Sequence, residues 1–135
     1  MILIDTDVLL DLALDRAPHS DHAAKLLDRL ERAPTAAFIA WHTVSNIFYL
    51  LARQRGGPGA RDFVEELIHF THIVPPDTDA LRYAIGLPMK AFEAAMQVAA
   101  ARACGAEHIV TRNVRDYRGS PIPAISPQRA VAELF

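Results

Sequence analysis

Ile2-Leu3-Ile4-Asp5-Thr6-Asp7, near the start of the chain, places three β-prone side chains directly before two acidic residues. A short apolar run of this kind is typical of a buried strand, and the strand ends at Asp5. In an open parallel sheet, ligands bind beyond the carboxyl ends of the strands. The stretch therefore predicts a buried strand with an acidic group at its ligand-binding end.

The rest of the chain alternates short apolar runs with helical patterns. Further strands are predicted at residues 36–40, 72–74 and 108–111, and a short edge strand at residues 124–125. Between them, apolar side chains recur three and four positions apart, as in helices that bury one face. The alternation predicts the α/β class: one domain over residues 1–135, with a short, mostly parallel sheet flanked by helices.

Local signals predict where several of these helices begin and end. A helix that begins near Ser20 is stopped by Pro34, and Thr43 is suited to cap the next helix. The run Gly56-Gly57-Pro58-Gly59 ends that helix and starts another. The remaining helix starts are predicted at Asp77 or Thr78, Ala91 and Ser126-Pro127.

Composition and charge exclude several classes of protein. The chain has 135 residues, 51% of them hydrophobic, so it can bury a core, unlike a disordered tail. Its longest apolar runs, 36–41 and 47–52, are far shorter than the roughly 20 residues of a membrane span. A single cysteine and an N-terminus unlike a signal peptide predict a cytoplasmic setting away from membranes. The net charge of -2 argues against binding nucleic acid by bulk electrostatics alone.

Two acidic segments are expected to meet at one edge of the sheet. Asp5 and Asp7 follow the first strand, whereas Thr111 ends the fourth strand and Asn113 and Asp116 come just after it. Clustered carboxylates repel one another unless a positive charge lies between them. Oxygen ligands suit a hard cation, so this edge predicts a site for Mg²⁺ or Mn²⁺.

Several of these residues also have purely structural interpretations. Asp7 suits a turn or helix cap, which is the favoured interpretation there, while a functional role is favoured for Asp5. Glu93 suits the first turn of a helix through the helix dipole. A buried Asn46 amide would support a metal-bound water or satisfy backbone groups, and both alternatives stay open. Arg112 and Arg115 either bind phosphate or belong to a solvated loop.

Four motifs resemble those of the PIN-domain family, especially the VapC-type toxins of bacterial toxin–antitoxin pairs. The first is Ile2-Leu3-Ile4-Asp5-Thr6-Asp7-Val8-Leu9-Leu10-Asp11, and the last is Ile109-Val110-Thr111-Arg112-Asn113-Val114-Arg115-Asp116-Tyr117. Between them lie Ala40-Trp41-His42-Thr43-Val44-Ser45-Asn46-Ile47-Phe48-Tyr49 and Phe92-Glu93-Ala94-Ala95-Met96-Gln97. Their order and separation match the family over nearly the whole chain.

The resemblance implies a compact α/β domain with a Mg²⁺ or Mn²⁺ site and endoribonuclease activity restrained by a cognate antitoxin. Asp5 matches the first acidic position, and Asp116, with Asn113 beside it, matches the last group. These two aspartates are the expected metal ligands, and Arg112 and Arg115 are expected to bind RNA phosphate. The expected catalytic set is Asp5, Asn46, Glu93, Asn113 and Asp116, supported by Asp7 and Thr111.

Two positions depart from the family pattern. Asn46 stands where many members have a glutamate, and Ala94 stands where an aspartate is common. Since a hard divalent cation is held by ligand charge and number, the site is expected to be weakened or disabled. Three explanations stay open: a natural weakened or inactive member, a site that uses Glu93 instead, and an engineered replacement of aspartate by Ala94.

Two other function classes compete with the nuclease. Asp5-Thr6-Asp7 also resembles the first motif of haloacid-dehalogenase-type phosphatases, but the only lysines are Lys25 and Lys90 and no later Gly-Asp-x-x-x-Asp motif follows. The stronger alternative is a catalytically inactive PIN-like module that binds RNA or protein. Exposed aromatic residues would support a homodimer or an antitoxin groove; the candidates are Trp41, Tyr49 and Phe70.

Overall fold

A five-stranded parallel sheet forms the centre of the computed structural model, which describes residues 1–32 and 36–135. The spatial order of the strands is β3-β2-β1-β4-β5, and each neighbouring pair is parallel. The strands are β1 (Ile2–Ile4), β2 (Ala37–Ala40), β3 (His72–Val74), β4 (His108–Val110) and β5 (Ala124–Ile125). The predicted α/β class is confirmed, and β1 lies in the middle of the sheet.

Helices cover both faces of this sheet. They are α1 (Thr6–Ala13), α2 (His19–Arg32), α3 (Trp41–Leu67), α4 (Thr78–Gly86), α5 (Phe92–Cys104) and α6 (Pro127–Glu133), with a 3₁₀ helix at Val114–Tyr117. No helix in the described ranges combines the length and the apolar character that crossing a bilayer requires.

The central strand β1 is buried on both faces, which explains why its sequence is an unbroken apolar run. Successive side chains of a strand point to opposite faces. Ile2 and Ile4 therefore belong to the core on the side of α1, α2 and α6, whereas Leu3 packs with α5 in a second core. The carboxyl end of β1 is thereby fixed between two packed layers.

Several predicted helix boundaries are confirmed. Asp77 caps α4 by accepting a hydrogen bond from the Ala80 amide, and Ser126 caps α6. Within α3, Gly56 has a φ of 76°, in the left-handed region that favours glycine, and it divides the helix into two arms. The end of α2 predicted at Pro34 lies outside the described residues.

The prediction that Thr43 caps a helix is wrong. The helix α3 begins two residues earlier, at Trp41, and its N-cap Ala40 makes no side-chain hydrogen bond. Thr43 is fully buried, and its Oγ1 lies 2.8 Å from Oγ1 of Thr6. A hydroxyl that suits a cap also suits a buried polar contact, and the tertiary partner on α1 decided between the two roles.

Candidate active site

An acidic cleft of about 320 Å³ lies at the carboxyl ends of β1 and β4. It brings together residues that are distant in the sequence, because β1 and β4 are neighbours in the sheet. Six residues predicted from the sequence line it: Asp5, Asp7, Glu93, Arg112, Asn113 and Asp116. Ala94, Arg16 and Tyr117 line it as well.

The carboxylate of Asp5 is held by three donors. Its Oδ1 accepts from the backbone amide of Thr6 at 2.7 Å, so Asp5 is the N-cap of α1. Its Oδ2 accepts from the hydroxyls of Thr111 at 2.9 Å and Tyr117 at 2.8 Å. Burial and the nearby Asp5 carboxylate raise the pKa of Tyr117, so its phenol remains a donor. Asp5 is therefore fixed in both position and hydrogen bonding.

Asp7 presents one oxygen to the protein and keeps the other free of partners. Its Oδ2 accepts from the Asn113 amide at 2.9 Å, the Arg112 backbone N–H at 3.1 Å and the Thr111 hydroxyl at 3.2 Å. Its Oδ1 is buried and has no hydrogen-bond partner in the described ranges. The favoured interpretation of Asp7 as a cap is wrong, because Asp5 caps α1 and Asp7 lies in its first turn.

The pKa of Asp7 is raised from 3.8 to about 6. Burial is the largest cause, and the like charge of Asp5 is the second. Hydrogen bonds from Arg112 and Thr111 act in the opposite direction but do not offset these two causes. A buried carboxylate oxygen that lacks a partner beside a second carboxylate is a position that a cation would stabilise.

The opposite wall of the cleft comes from the start of α5 and from the 3₁₀ helix. Glu93 and Asp116 are both exposed and line the cleft. Ala94 is only 6% exposed and presents a methyl group to the same space. In residues 1–32 and 36–135, no three acidic, histidine or cysteine side chains lie close enough together to form a metal-binding group.

Two sequence-predicted residues lie elsewhere. The expectation of a buried amide at Asn46 is wrong, because Asn46 is exposed on α3 and does not line the cleft. Arg115 is exposed in the 3₁₀ helix, also outside the residues that line the cleft. His42, one turn before Asn46, is half-buried. Burial lowers its pKa, whereas Glu93 and Asp5 act in the opposite direction.

Comparison with known proteins identifies the family. A family model described as the PIN domain matches residues 1–115 of the 135. The chain belongs to the PIN-domain family. The resemblance of the chain to that family is thereby confirmed.

Solved structures share the fold of this PIN domain. VapBC2 from Rickettsia felis, bound to a DNA fragment from its promoter, matches with a TM-score of 0.73 and 14% identity, over 93% of this chain and 98% of that chain. VapC20 from Mycobacterium tuberculosis, described as a sarcin–ricin loop cleaving toxin, matches with a TM-score of 0.64 and 16% identity, over 81% of this chain and 87% of that chain. FitAcB from Neisseria gonorrhoeae matches with a TM-score of 0.62 and 19% identity, over 94% of this chain and 98% of that chain. No curated protein matches the chain.

The chemistry of the carboxylates in the cleft suits a hard divalent cation, but as placed in residues 1–32 and 36–135 no three of them form a metal-binding group. Asp5, Asp7, Glu93 and Asp116 supply only carboxylate oxygens, which Mg²⁺ and Mn²⁺ prefer. Oδ1 of Asp7 has no hydrogen-bond partner in the described ranges, and burial and the nearby Asp5 raise the pKa of Asp7. Ala94 contributes only a methyl group to the cleft on the α5 side.

An ion-pair cluster at the rim of the cleft has no counterpart among the sequence predictions. The carboxylate of Asp11 is 2% exposed and binds Arg112 through two hydrogen bonds, at 2.7 and 3.2 Å. Arg16 forms an ion pair with the same carboxylate, with its Nε 3.0 Å from Oδ1 of Asp11. Arg112 is therefore neither in a solvated loop nor free of protein contacts. Asp7 and Asp11 are four residues apart, which places them on one helix face. The sequence shows this only if residues 6–13 are already known to form a helix.

A buried network of polar side chains connects the helices beside the cleft. Gln97 is fully buried on α5, and its Nε2 donates to the hydroxyls of Thr43 at 2.9 Å and Thr6 at 3.2 Å. The network joins α5, which carries Glu93 and Ala94, to the starts of α3 and α1. Gln97 is a polar residue in an alanine-rich helix. This contrast is the sequence signal for a buried hydrogen-bonding role of Gln97.

Substituting Thr43→Val is expected to lower the free energy of unfolding by about 1–3 kcal/mol, because it leaves a buried Gln97 donor without its acceptor. Urea denaturation at neutral pH measures the change. Thr78→Val, at an exposed position on α4, is the control and should change stability by less than about 0.5 kcal/mol. Equal stability of the two variants would contradict the assigned network.

Proposed function

We propose that this PIN domain is the nuclease toxin of a toxin–antitoxin pair: a metal-dependent endoribonuclease of the VapC type that hydrolyses RNA phosphodiesters. The observation that carries the proposal is the pairing of Asp5 and Asp7 in the cleft, with a buried, unpartnered Oδ1 on Asp7. The activity of the chain is weakened by Ala94, which supplies no ligand where the family commonly has an aspartate.

In the proposed site, Asp5 and Asp116 would hold Mg²⁺ or Mn²⁺, with Asp7 as a further ligand and Glu93 beside them in the cleft. The chemistry that such a cation would supply is activation of a water and compensation of the charge on the departing oxygen. Thr111 and Tyr117 keep the Asp5 carboxylate in place through their hydrogen bonds to Oδ2. Asn113 orients Asp7 in the same way through its amide.

RNA is the proposed substrate because of the motif resemblance to VapC-type toxins. The similarity to VapC20, a toxin described as cleaving the sarcin–ricin loop, supports the same substrate class. The matched structures share the fold at 14–19% identity. The RNA sequence that is cut is therefore a question for experiment.

The proposed antitoxin site is an apolar groove of about 860 Å³ between the two arms of α3. Trp41, Phe48 and Tyr49 line one side and Ile68 the other. Trp41 and Tyr49 are exposed, as expected, but Phe70 is half-buried and packs against the main core, so its predicted exposure is wrong. A homodimer and a cytoplasmic location stay predictions.

We also propose that residues 1–135 form one domain. The family model matches as far as residue 115, but β5 pairs with β4 in the same sheet. The helix α6 that follows contributes Ala130 to the main core, beside side chains of α1 and α2. Residues beyond the matched range are therefore built into the fold.

An RNA-cleavage assay tests the proposed function. The chain is incubated with several structured RNAs and Mn²⁺, and fragments are resolved on a denaturing gel. Slow cleavage is expected, abolished by EDTA and by Asp5→Asn, which removes a charged ligand while keeping the side-chain shape. Cleavage that persists in Asp5→Asn would indicate a contaminating nuclease and count against the proposal.

A second candidate is a PIN-like module that has lost catalysis and binds RNA or protein. The methyl of Ala94 in the cleft wall favours it. The absence of a three-ligand metal group within residues 1–32 and 36–135 favours it too. The two candidates differ in metal binding: the module has no need of a cation, whereas the nuclease gains stability from Mn²⁺ in thermal unfolding.

A further inference from the structure

We propose that Arg16 and Arg112, both bound to the buried carboxylate of Asp11, form a subsite for a backbone phosphate of the RNA on the rim of the acidic cleft. The inference rests on the proposed nuclease function and adds to it the part of the substrate that these residues bind. That part is a phosphate beside the one that is cleaved, because the arginines line the same cleft as Asp5 and Asp7.

The geometry holds the two guanidinium groups side by side. Oδ1 of Asp11 lies 3.0 Å from Nε of Arg16 in an ion pair, and it accepts a hydrogen bond from Nη2 of Arg112 at 3.2 Å. Oδ2 accepts from Nε of Arg112 at 2.7 Å. Because Asp11 is buried on α1, both arginine side chains are anchored to a rigid element.

The charges of this cluster do not balance. Two guanidinium groups share one carboxylate, and within the part of the chain that the structure describes neither has a second carboxylate within ion-pair distance. One arginine would suffice to compensate a buried carboxylate, and a second beside it adds repulsion. A phosphate that contacts both guanidinium groups would relieve the repulsion between them, whereas the carboxylates of the cleft, among them Asp7 beside Arg112, act against its approach.

The two arginines remain accessible despite these contacts. The side chain of Arg16 is 42% exposed and that of Arg112 is 32% exposed. A guanidinium group has five N–H donors; two of those of Arg112 donate to Asp11, whereas Arg16 contacts Asp11 as an ion pair. The free donors of a fixed guanidinium fork match the oxygens of a phosphate group.

The salt dependence of RNA binding tests this subsite. Binding of a labelled single-stranded RNA is measured by fluorescence anisotropy at constant Mg²⁺ and increasing KCl, and a gel checks that the RNA stays intact. For single strands, each phosphate contact contributes about -0.7 to the slope of log K against log salt. Arg16→Gln is therefore expected to reduce the magnitude of the slope by about 0.7 and to weaken binding about fivefold at low salt.

Two further variants complete the experiment. Arg82→Gln is the matched control, because Arg82 is exposed on α4 and pairs with Asp79 outside the cleft; its slope should equal that of the unsubstituted chain. Arg16→Lys keeps a point charge without the fork, so it should restore the slope. Thermal unfolding of each variant reports whether the fold is intact.

The outcomes separate this inference from the proposed function. If the chain binds RNA and Arg16→Gln keeps the full slope, the subsite is overturned and the nuclease proposal stands. If the chain binds no RNA at any salt concentration, both are overturned. A loss that Arg16→Lys does not restore indicates a structural role for Arg16 and also overturns the subsite.

Discussion

Replacing Ala94 with aspartate is expected to raise Mn²⁺-dependent RNA cleavage on the order of 100-fold. Ala94 lies in the wall of the cleft, so the new carboxylate enters the space that Asp5, Asp7 and Asp116 already line. Loss of an outer-shell partner of a metal ligand typically costs 10–100-fold in metal affinity or activity, so a direct ligand is expected to contribute at least the upper part of this range. Initial rates with Mn²⁺ and with EDTA measure the effect.

The same variant is expected to respond to metal in its stability. Without metal, Ala94→Asp buries another negative charge near Asp5 and Asp7, so its melting temperature should fall below that of the unsubstituted chain. Mn²⁺ should raise the melting temperature of the variant more than that of the unsubstituted chain, because the cation binds only the folded state. This readout does not depend on knowing the RNA target.

A control on the same helix separates ligand gain from added charge. Ala103→Asp introduces the same side chain at an exposed position of α5, nine residues further on, and should change neither the cleavage rate nor the response to Mn²⁺. If both the unsubstituted chain and Ala94→Asp cut RNA equally well, Glu93 already supplies the ligand. If neither cuts and neither is stabilised by Mn²⁺, the binding module becomes the better candidate.

Asp7→Asn is expected to make the protein more stable above pH 6 while weakening its binding of Mn²⁺. The folded chain holds the Asp7 proton up to about pH 6, whereas an ordinary carboxyl group loses it near pH 3.8. Between these values the unfolded state binds fewer protons, so stability falls as the pH rises through this window. A shift of about two pKa units corresponds to roughly 3 kcal/mol, which is lost in full above pH 6.

Denaturant unfolding of the two proteins from pH 4 to pH 8 checks this expectation. The free energy of Asp7→Asn minus that of the unsubstituted chain should grow by about 2–3 kcal/mol across the range. Asp15→Asn is the control, because Asp15 is exposed and asparagine tolerates its positive φ of 49°. A difference that stays constant with pH would mean that Asp7 is charged in the fold at all these values.

Much of the fold is predictable because it depends on local patterns. The short apolar run Ile2–Ile4 predicts a buried strand, and the glycine-rich run 56–59 predicts the interruption that the structure places at Gly56. The helix α1 escapes prediction because its apolar residues follow β1 without a recognisable boundary, and its cap, Asp5, also serves the cleft. The role of Thr43 is mispredicted because its hydrogen-bond partners lie on other elements.

The candidate site is predictable only in part, for the same physical reason. Asp5 and Asp116 follow strand ends, and parallel strands bring such residues together at one edge. The hydrogen bond from Tyr117 to Asp5 joins residues 112 positions apart, and the ion pair of Arg112 with Asp11 spans 101 positions. Neither contact has a local sequence signal, so only the folded chain shows them.

The interruption of α3 at Gly56 creates a groove whose residues can change without changing those of the acidic cleft. Both walls of the apolar groove come from one continuous segment of the chain, before and after Gly56. None of the residues that line the groove also lines the acidic cleft. Substitutions along the two arms can therefore change the groove while the residues of the cleft stay the same. With the groove as the proposed antitoxin site, the choice of partner would be free to diverge without any change in the cleft.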